Sequence, residues 1–300
     1  MRLAVTGATG FVGGRLLSAA REAGHDVRAL TRRPMPSCGG VEWVEGSLED
    51  HAALDGLCAG ANAVIHVAGV INAPDHAAFE AGNVTGTAAI LAAAISAGVP
   101  RFIHVSSLAA REPELSKYGA SKARSEILVK TSGVPFSIVR PPAVYGPGDR
   151  ETLELFKMAR RGLIALPPAG RLSLLHADDL SALLIALAGS DASGLTIEPD
   201  DGHQGGYSHR EMAALLGRAV GRKPISVAMP KQVLRTAAAL DGLIRRDGAK
   251  LTPDRVAYFC HPDWVADPAR AVPNDLWQPA IDTATGLAAT ADWYRVEGWL

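Results

Sequence analysis

The stretch that decides the fold is Leu3-Ala4-Val5-Thr6-Gly7-Ala8-Thr9-Gly10-Phe11-Val12-Gly13. Leu3 to Val5 is short, apolar and uninterrupted, the pattern of a strand buried on both faces of a parallel sheet. Val12 to Ala23 carries apolar residues at helical spacing, and Gly24 is placed to stop that helix. Three glycines at every third position therefore link a strand to a helix. A pyrophosphate must approach backbone amides at a helix N-terminus, and a Cβ on the linking loop obstructs that approach. Strand, turn and helix together predict a dinucleotide-binding unit, with Gly7, Thr9, Gly10, Phe11, Val12 and Gly13 around the pyrophosphate.

Outward from that stretch, strand-like and helix-like segments alternate. Val27–Leu30, Ala63–Val67, Phe102–Val105 and Phe136–Val139 read as strands. Leu48–Ala59, Val84–Ala97 and Tyr118–Thr131 read as helices, the second stopped by Gly98. Such alternation predicts a Rossmann-type, doubly wound parallel sheet of the α/β class. The pattern changes after Pro141. Residues 141–149 read as an ordered loop rich in proline and glycine, with helices near 151–162 and 178–188 and a strand at Gly194–Glu198. From about 201 the chain reads as helix and loop, with Thr252-Pro253 as a helix start. The expected organisation is a nucleotide-binding domain over 1–200 with a lobe insertion near 147–175. A smaller, mostly helical C-terminal substrate lobe would occupy 201–300.

Bulk properties narrow the function classes. The chain has 300 residues, 48% of them apolar, enough for a large core. The formal charge of −1 gives none of the basic field that nucleic acid requires, so no nucleic-acid partner is expected. Cys38, Cys58 and Cys260 show no C-x-x-C spacing, which argues against a disulfide framework or zinc site and fits a reducing cytoplasm. No basic-then-apolar leader opens the sequence, and apolar runs such as Ala182–Ala188 are too short to span a bilayer. Gln232 to Arg246 is amphipathic. Val233, Leu234, Ala237, Leu240, Leu243 and Ile244 are interleaved with Arg235, Arg245 and Arg246, the pattern of a lobe helix or of a peripheral membrane contact.

Two further features carry chemistry. The second strand runs into Arg32-Arg33, where an NAD-binding fold usually carries Asp or Glu against the ribose 2′-hydroxyl. Two arginines suit a 2′-phosphate, so NADP(H) is favoured over NAD(H). Tyr118 and Lys122 lie four apart on one helix face, after a strand ending in Ser106-Ser107. A carbonyl reduced to an alcohol develops negative charge on oxygen and must be protonated. Tyrosine's ordinary pKa is high for that exchange, a nearby ammonium favours the phenolate, and a serine hydroxyl can hydrogen-bond the same oxygen. Tyr118 is the expected acid/base, Lys122 its tuner and ribose anchor, and Ser107 the carbonyl polariser, with Ser106 as the alternative.

The chain resembles the short-chain dehydrogenase/reductase superfamily. The likeness is to its extended branch with NDP-sugar epimerases, dihydroflavonol-type reductases and 3β-hydroxysteroid dehydrogenases. The resemblance rests on Thr6–Gly13, Gly46-Ser47-Leu48, His66–Gly69, Asn83–Thr87, Tyr118 with Lys122, Arg140–Gly148, His176–Leu180 and the C-terminal Trp293-Tyr294 and Gly298–Leu300. It implies that Leu48 touches adenine, that Ala68 lines the cofactor channel, and that Pro141 and Val144 flank the nicotinamide. The family's Gly-Asp-Leu is Gly46-Ser47-Leu48 here, so a carboxylate contact is missing. The segment from Ser107 to Tyr118 is also shorter than in sugar epimerases. In that it is similar to atypical members such as the accessory Rossmann subunit of the respiratory NADH dehydrogenase.

Several residues have a structural reading beside the functional one. Asn83 is expected to cap a helix. His66 is expected to pack near the cofactor rather than donate a proton. Asp178 and Asp179 read as helix-start residues rather than metal ligands, and Arg150 and Arg171 as solvated cations. Related dehydratases carry an Asp-Glu pair after the serine, whereas Leu108-Ala109-Ala110 offers no carboxyl group. The expected activity is NADPH-dependent carbonyl reduction. The run Leu108-Ala109-Ala110-Arg111 and the compact connection resemble bacterial lipid-associated reductases of the superfamily, and that resemblance implies a keto-lipid substrate such as an oxidised ceramide or keto-sphingoid base. The alternatives are an NDP-sugar epimerase-like enzyme and a non-catalytic NADP(H)-binding sensor or assembly protein. The expected location is the cytoplasm, with a membrane surface as a further site.

Overall fold

The computed structural model describes residues 1–245 and 251–300. Along the chain, β1 (Arg2–Thr6), α1 (Phe11–Glu22), β2 (Asp26–Thr31), β3 (Val41–Glu45), α2 (His51–Cys58) and β4 (Ala63–His66) come first. A continuous helical run follows: α3 (His76–Phe79), a π-helical turn (Glu80–Thr85) and α4 (Gly86–Ser96). Next are β5 (Phe102–Val105), a 3-10 turn (Leu108–Arg111), α5 (Lys117–Thr131), β6 (Phe136–Val139), β7 (Ala143–Tyr145) and α6 (Leu153–Arg161). Then come β8 (Leu163–Leu166), β9 (Arg171–Leu172), β10 (Leu174–His176), α7 (Ala177–Gly189) and β11 (Leu195–Ile197). The remainder holds β12 (Tyr207–Ser208), α8 (His209–Ala219), β13 (Ile225–Ala228), α9 (Lys231–Arg245), α10 (Pro253–Phe259), β14 (Asp263–Trp264) and α11 (Thr283–Val296).

The first of two compact units comprises 1–141, 178–199 and 269–278. Its seven strands run in the order β11-β6-β5-β4-β1-β2-β3, all paired parallel. The strand order reverses between β1 and β4, and the crevice at their C-terminal ends is where open α/β sheets take ligands. The central strands are buried and mostly apolar, with Thr6, His66, His104 and Ser137 as the buried polar residues on them, because helices cover both faces. Leu54, Leu57, Ile90, Phe102 and Ile138 are buried in one cluster under α2 and α4.

The second unit comprises 142–177, 200–268 and 279–300. Tyr145, Phe156, Leu174, Leu216, Leu287 and Tyr294 form its core. Short strands pair as β10-β7, β12-β9-β14 and β13-β8.

The structure departs from expectation in several places. The edge strand β3 escaped the reading, since Val41-Glu42-Trp43-Val44-Glu45 is half-exposed and carries two charges. The loop at 141–149 contains β7, whose parallel partner β10 lies 31 residues downstream. The segment after 201 holds three short strands, and 269–278 returns to the first unit, where Glu198 pairs with Arg270. The expected 84–97 helix starts earlier, giving a run from His76 to Ser96 that is long and apolar enough to span a bilayer by composition. Ile90, Leu91, Ala93 and Ala94 of that run are buried in the core, as in a central helix of a folded domain. Arg246 of the expected amphipathic segment lies outside the described residues.

Candidate active site

The glycine turn sits at the β1/β4 switch point. Gly7 adopts φ +74°, and a Cβ there would fall 2.6 Å from the Ala68 nitrogen. Gly13 faces back onto the turn, and a Cβ would lie 2.7 Å from the Gly7 carbonyl carbon. Gly7 is thus demanded by backbone packing against the loop after β4, and Gly13 by the packing of α1 against the turn itself. Gly10 differs: a Cβ would meet only the Gly7 oxygen, at 3.3 Å. Gly10 is the N-cap of α1 and no side chain caps the helix, whose first turn contains no acid. Thr9 and Gly10 are exposed, and Phe11 and Val12 are partly so. An uncapped, acid-free helix start behind an exposed glycine fits a pyrophosphate.

Around the turn, Ala68 N donates to Thr6 Oγ1 at 3.3 Å. Leu48 packs so closely on α4 that a Cβ at Gly86 would fall 2.6 Å from its Cδ1. Ser47 accepts from Glu49 N at 3.1 Å, so it shapes the turn where a carboxylate was expected. At the end of β2, Thr31 Oγ1 donates to Arg33 O at 2.7 Å and holds a tight turn. Arg32 and Arg33 are exposed on it, and their guanidinium groups make no hydrogen bond or ion pair among the described residues.

Ser107 ends the β5 segment and caps the 3-10 turn, accepting from Ala109 N at 3.2 Å. The turn folds tightly onto the start of α5. A Cβ at Gly119 would meet Ala109 O at 2.5 Å and Glu112 O at 3.1 Å. Ser116 caps α5 through Gly119 N at 3.0 Å. This packing, unread in the sequence, brings Tyr118 to Ser107 across a short connection. Ser107 interacts with the Tyr118 phenol and draws its pKa down, but burial, including the Phe79 ring 6.2 Å away, outweighs that and raises it. The expected lowering by Lys122 is not what this arrangement gives. Lys122 Nζ donates to Val105 O at 2.8 Å, and burial draws its own pKa down to about 8 despite the opposing charge of Glu126.

Ser106 is committed elsewhere: its hydroxyl donates to Glu126 Oε1 at 2.7 Å. Arg140 donates to both oxygens of Glu126, Nε at 2.8 Å and Nη2 at 2.7 Å. It also reaches Glu198 Oε1 at 3.2 Å. Pro141 follows, and its carbonyl accepts from Leu108 N at 3.0 Å. Val144 lies on β7 in the second unit.

Asn83 is not a helix cap. It lies inside the π turn, buried, because its side chain has other work. Oδ1 accepts from Val70 N at 2.7 Å, and Nδ2 donates to Val70 O and Ser121 Oγ, both at 2.9 Å. It thereby clamps the loop after β4 to α5. His66 is fully buried. Thr87 Oγ1 donates to Asn83 O, so it accepts from His66 Nε2 at 3.0 Å, and Nδ1 then accepts from Thr6 Oγ1 at 2.6 Å. Burial draws this imidazole down to about 3. His104 stacks on it with centroids 5.5 Å apart and is likewise pushed well below its ordinary value. Asp178 is held by Arg15 in a two-pronged ion pair at 2.6 Å. Arg171 donates to the carbonyls of Gly205 and Gly206, and Arg150 stacks over Trp299.

Fold and site together define an NAD(P)-dependent enzyme of oxidoreductase type. The model of the NAD dependent epimerase/dehydratase family matches residues 3–196, and the chain belongs to that family. It is 39% identical over 312 aligned residues to "Ceramide reductase" of Caulobacter vibrioides, covering 99% of this chain and 96% of that protein. It is 35% identical over 173 residues to a farnesyl-dihydroquinoline-oxide ketoreductase of Stigmatella aurantiaca, covering 50% of this chain and 52% of that one. Among solved structures, WbmG of Bordetella bronchiseptica in complex with NAD and UDP superposes with a TM-score of 0.78 at 20% identity. That match covers 99% of this chain and 96% of that one.

Proposed function

We propose that this protein is an NADPH-dependent reductase of a long-chain keto-lipid, with an oxidised ceramide or a keto-sphingoid base as substrate. The observation that carries the substrate class is the end-to-end identity with the Caulobacter protein named ceramide reductase. The site chemistry supports the direction. A phenol held above its ordinary pKa is protonated at neutral pH and poised to give a proton to an alkoxide. Ser107 holds the substrate carbonyl, Tyr118 donates the proton, and Lys122 binds ribose and replenishes positive charge beside the phenol. Bound NADPH supplies the hydride. Gly7, Thr9, Gly10, Phe11, Val12 and Gly13 would receive the pyrophosphate, Leu48 the adenine, and Ala68 and Pro141 the nicotinamide side. Arg32 and Arg33 support NADPH over NADH, because both cations stand unengaged at the end of β2, with Ser47 in place of a carboxylate nearby.

The reading extends to a cytoplasmic protein that meets a membrane surface. On α9, Ala238 is buried, whereas Val233, Leu240, Leu243 and Ile244 are exposed. An outer stripe of large apolar residues suits an acyl-chain boundary. The deciding experiment is NADPH oxidation with a detergent-dispersed 3-keto ceramide, with the alcohol identified by mass spectrometry. Wild type is expected to turn over, while Tyr118→Phe binds NADPH within about twofold of wild type and loses at least about 100-fold in kcat. Turnover of neither keto-ceramide nor keto-sphingoid base would refute the substrate class.

A further inference from the structure

The buried carboxylate of Glu126 has no part in the reaction described above, yet three segments of the site meet on it. It lies one turn beyond Lys122 and two beyond Tyr118 on α5, the helix face that looks into the site. Ser106, next to Ser107 at the end of β5, donates to it. Arg140, next to Pro141 at the end of β6, closes a two-pronged pair with it. The Glu126 side chain is 2% exposed and that of Arg140 is 11% exposed. Arg140 in turn meets Glu198, which also takes Arg111 of the 3-10 turn at 3.4 Å. The C-terminal ends of β5 and β6, the start of the Ser107–Tyr118 connection and the middle of α5 therefore share one hydrogen-bonded assembly. Buried charge pairs seldom add net stability over apolar packing, so a carboxylate kept here calls for another role.

We propose that Glu126 is a positioning residue: it fixes the Ser106-Ser107 backbone against α5, so that the Ser107 hydroxyl stays against the Tyr118 phenol, without touching substrate. The groups that face its carboxylate are Ser106 just after β5, Arg140 just after β6, and Lys130 at 3.3 Å on its own helix, with Lys122 one turn away. Glu198 faces it across Arg140. Without the carboxylate, Ser106 loses its acceptor and Arg140 loses its fork, and the Ser107 contact with the phenol is released.

This inference rests on the proposed acid role of Tyr118, but its test does not need a substrate. The Tyr118 phenol is titrated by ultraviolet difference between each protein and its Tyr118→Phe counterpart. In Glu126→Leu, which removes the acceptor outright, the phenol is expected to ionise at least about half a pH unit higher than in wild type, because the Ser107 contact that lowers it is lost. Alongside, kcat for the keto-lipid is expected to fall about tenfold or more, with KM and NADPH affinity within about threefold. A folded Glu126→Leu protein whose phenol titrates as in wild type overturns the inference. If that variant does not fold, Ser106→Ala, which removes one link alone, is read the same way, and an unmoved phenol again overturns it. A phenol that moves in a protein whose wild type reduces no ketone upholds the positioning and refutes the reduction.

Discussion

Removing the imidazole at 66 should make the fold less sensitive to acid while making it weaker at neutral pH. His66 sits neutral between Thr6 and Thr87, and burial holds its pKa at about 3 against an ordinary 6.5. The folded value lies below the unfolded one, so the unfolded chain takes up the proton first. The contribution to stability is complete above pH 6.5 and is lost progressively as pH falls toward about 3. At pH 5 the unfolded imidazole is almost fully protonated and the folded one is not. The loss there is about 2 kcal/mol, set by the unfolded pKa and insensitive to the folded value as long as that stays below 4. The ceiling, reached near pH 3, is about 5 kcal/mol. Against a typical stability of about 5–15 kcal/mol, this single residue is a substantial part of the acid response. The assay is urea unfolding at pH 7 and pH 5, followed by the fluorescence of the five tryptophans. Wild type is compared with His66→Gln, which keeps an amide for the threonines but cannot ionise. The variant is expected to be about 1–3 kcal/mol weaker at pH 7 through imperfect hydrogen bonds. Between pH 7 and pH 5 it should lose about 2 kcal/mol less than wild type does. His104 titrates in both proteins and cancels. If the two proteins lost stability equally over that interval, His66 would not be the buried neutral group described.

Gly10→Ala should fold with Tm within about 3 °C of wild type and lose about tenfold or more in NADPH affinity by fluorescence titration, whereas Gly13→Ala should fold poorly or not at all, its Cβ having no room beside Gly7. Gly119→Ala should cost about 1–3 kcal/mol in urea unfolding and at least about tenfold in kcat, since its Cβ meets Ala109 O and pushes Tyr118 away from Ser107. Arg32→Ala with Arg33→Ala should weaken NADPH about 10- to 100-fold and leave NADH within about twofold, and equal losses for both would refute the 2′-phosphate reading. Wild type should sediment with vesicles of phosphatidylglycerol and phosphatidylcholine, and Leu240→Asp with Ile244→Asp should stay in solution while still reducing detergent-dispersed substrate.

The parallel sheet was legible because buried strands carry a local signature. Leu3–Val5 is apolar without interruption, Ala63–His66 and Phe102–Val105 are apolar but for one histidine each, and each is followed by a helical period. Edge strand β3 was not legible, because a strand covered on one side alternates Val, Glu and Trp as loosely as a loop does. Strand β7 was hidden for another reason. The prolines and glycines that flank it are true loop signals, and its pairing partner is remote in sequence. The site divides the same way. Gly7, Tyr118 and Lys122 stand in short motifs whose spacing is set by one turn or one helix. Asn83 reads as a cap from its neighbours, and only the meeting of the loop after β4 with α5 gives it three buried partners. Glu126 had one available signal, its place four residues beyond Lys122, but its partners Ser106 and Arg140 lie just after two other strands.

The shortness of the Ser107–Tyr118 segment takes on a definite meaning in this light. A short connection could have left the serine out of reach of the phenol and made the protein a binder alone. Instead a 3-10 turn absorbs four residues, Ser107 and Ser116 cap its two neighbouring starts, and Gly119 admits the turn's carbonyls where any Cβ would repel them. The same compactness buries the phenol and raises its pKa, which disfavours the phenolate needed to remove a proton from an alcohol. An oxidising cycle must take a proton at this position, and a reducing one must give it. The geometry that shortens the connection therefore also keeps the phenol in its protonated form, the state from which a proton can be given. It ties the burial and protonation state of the phenol to a glycine three residues before the lysine.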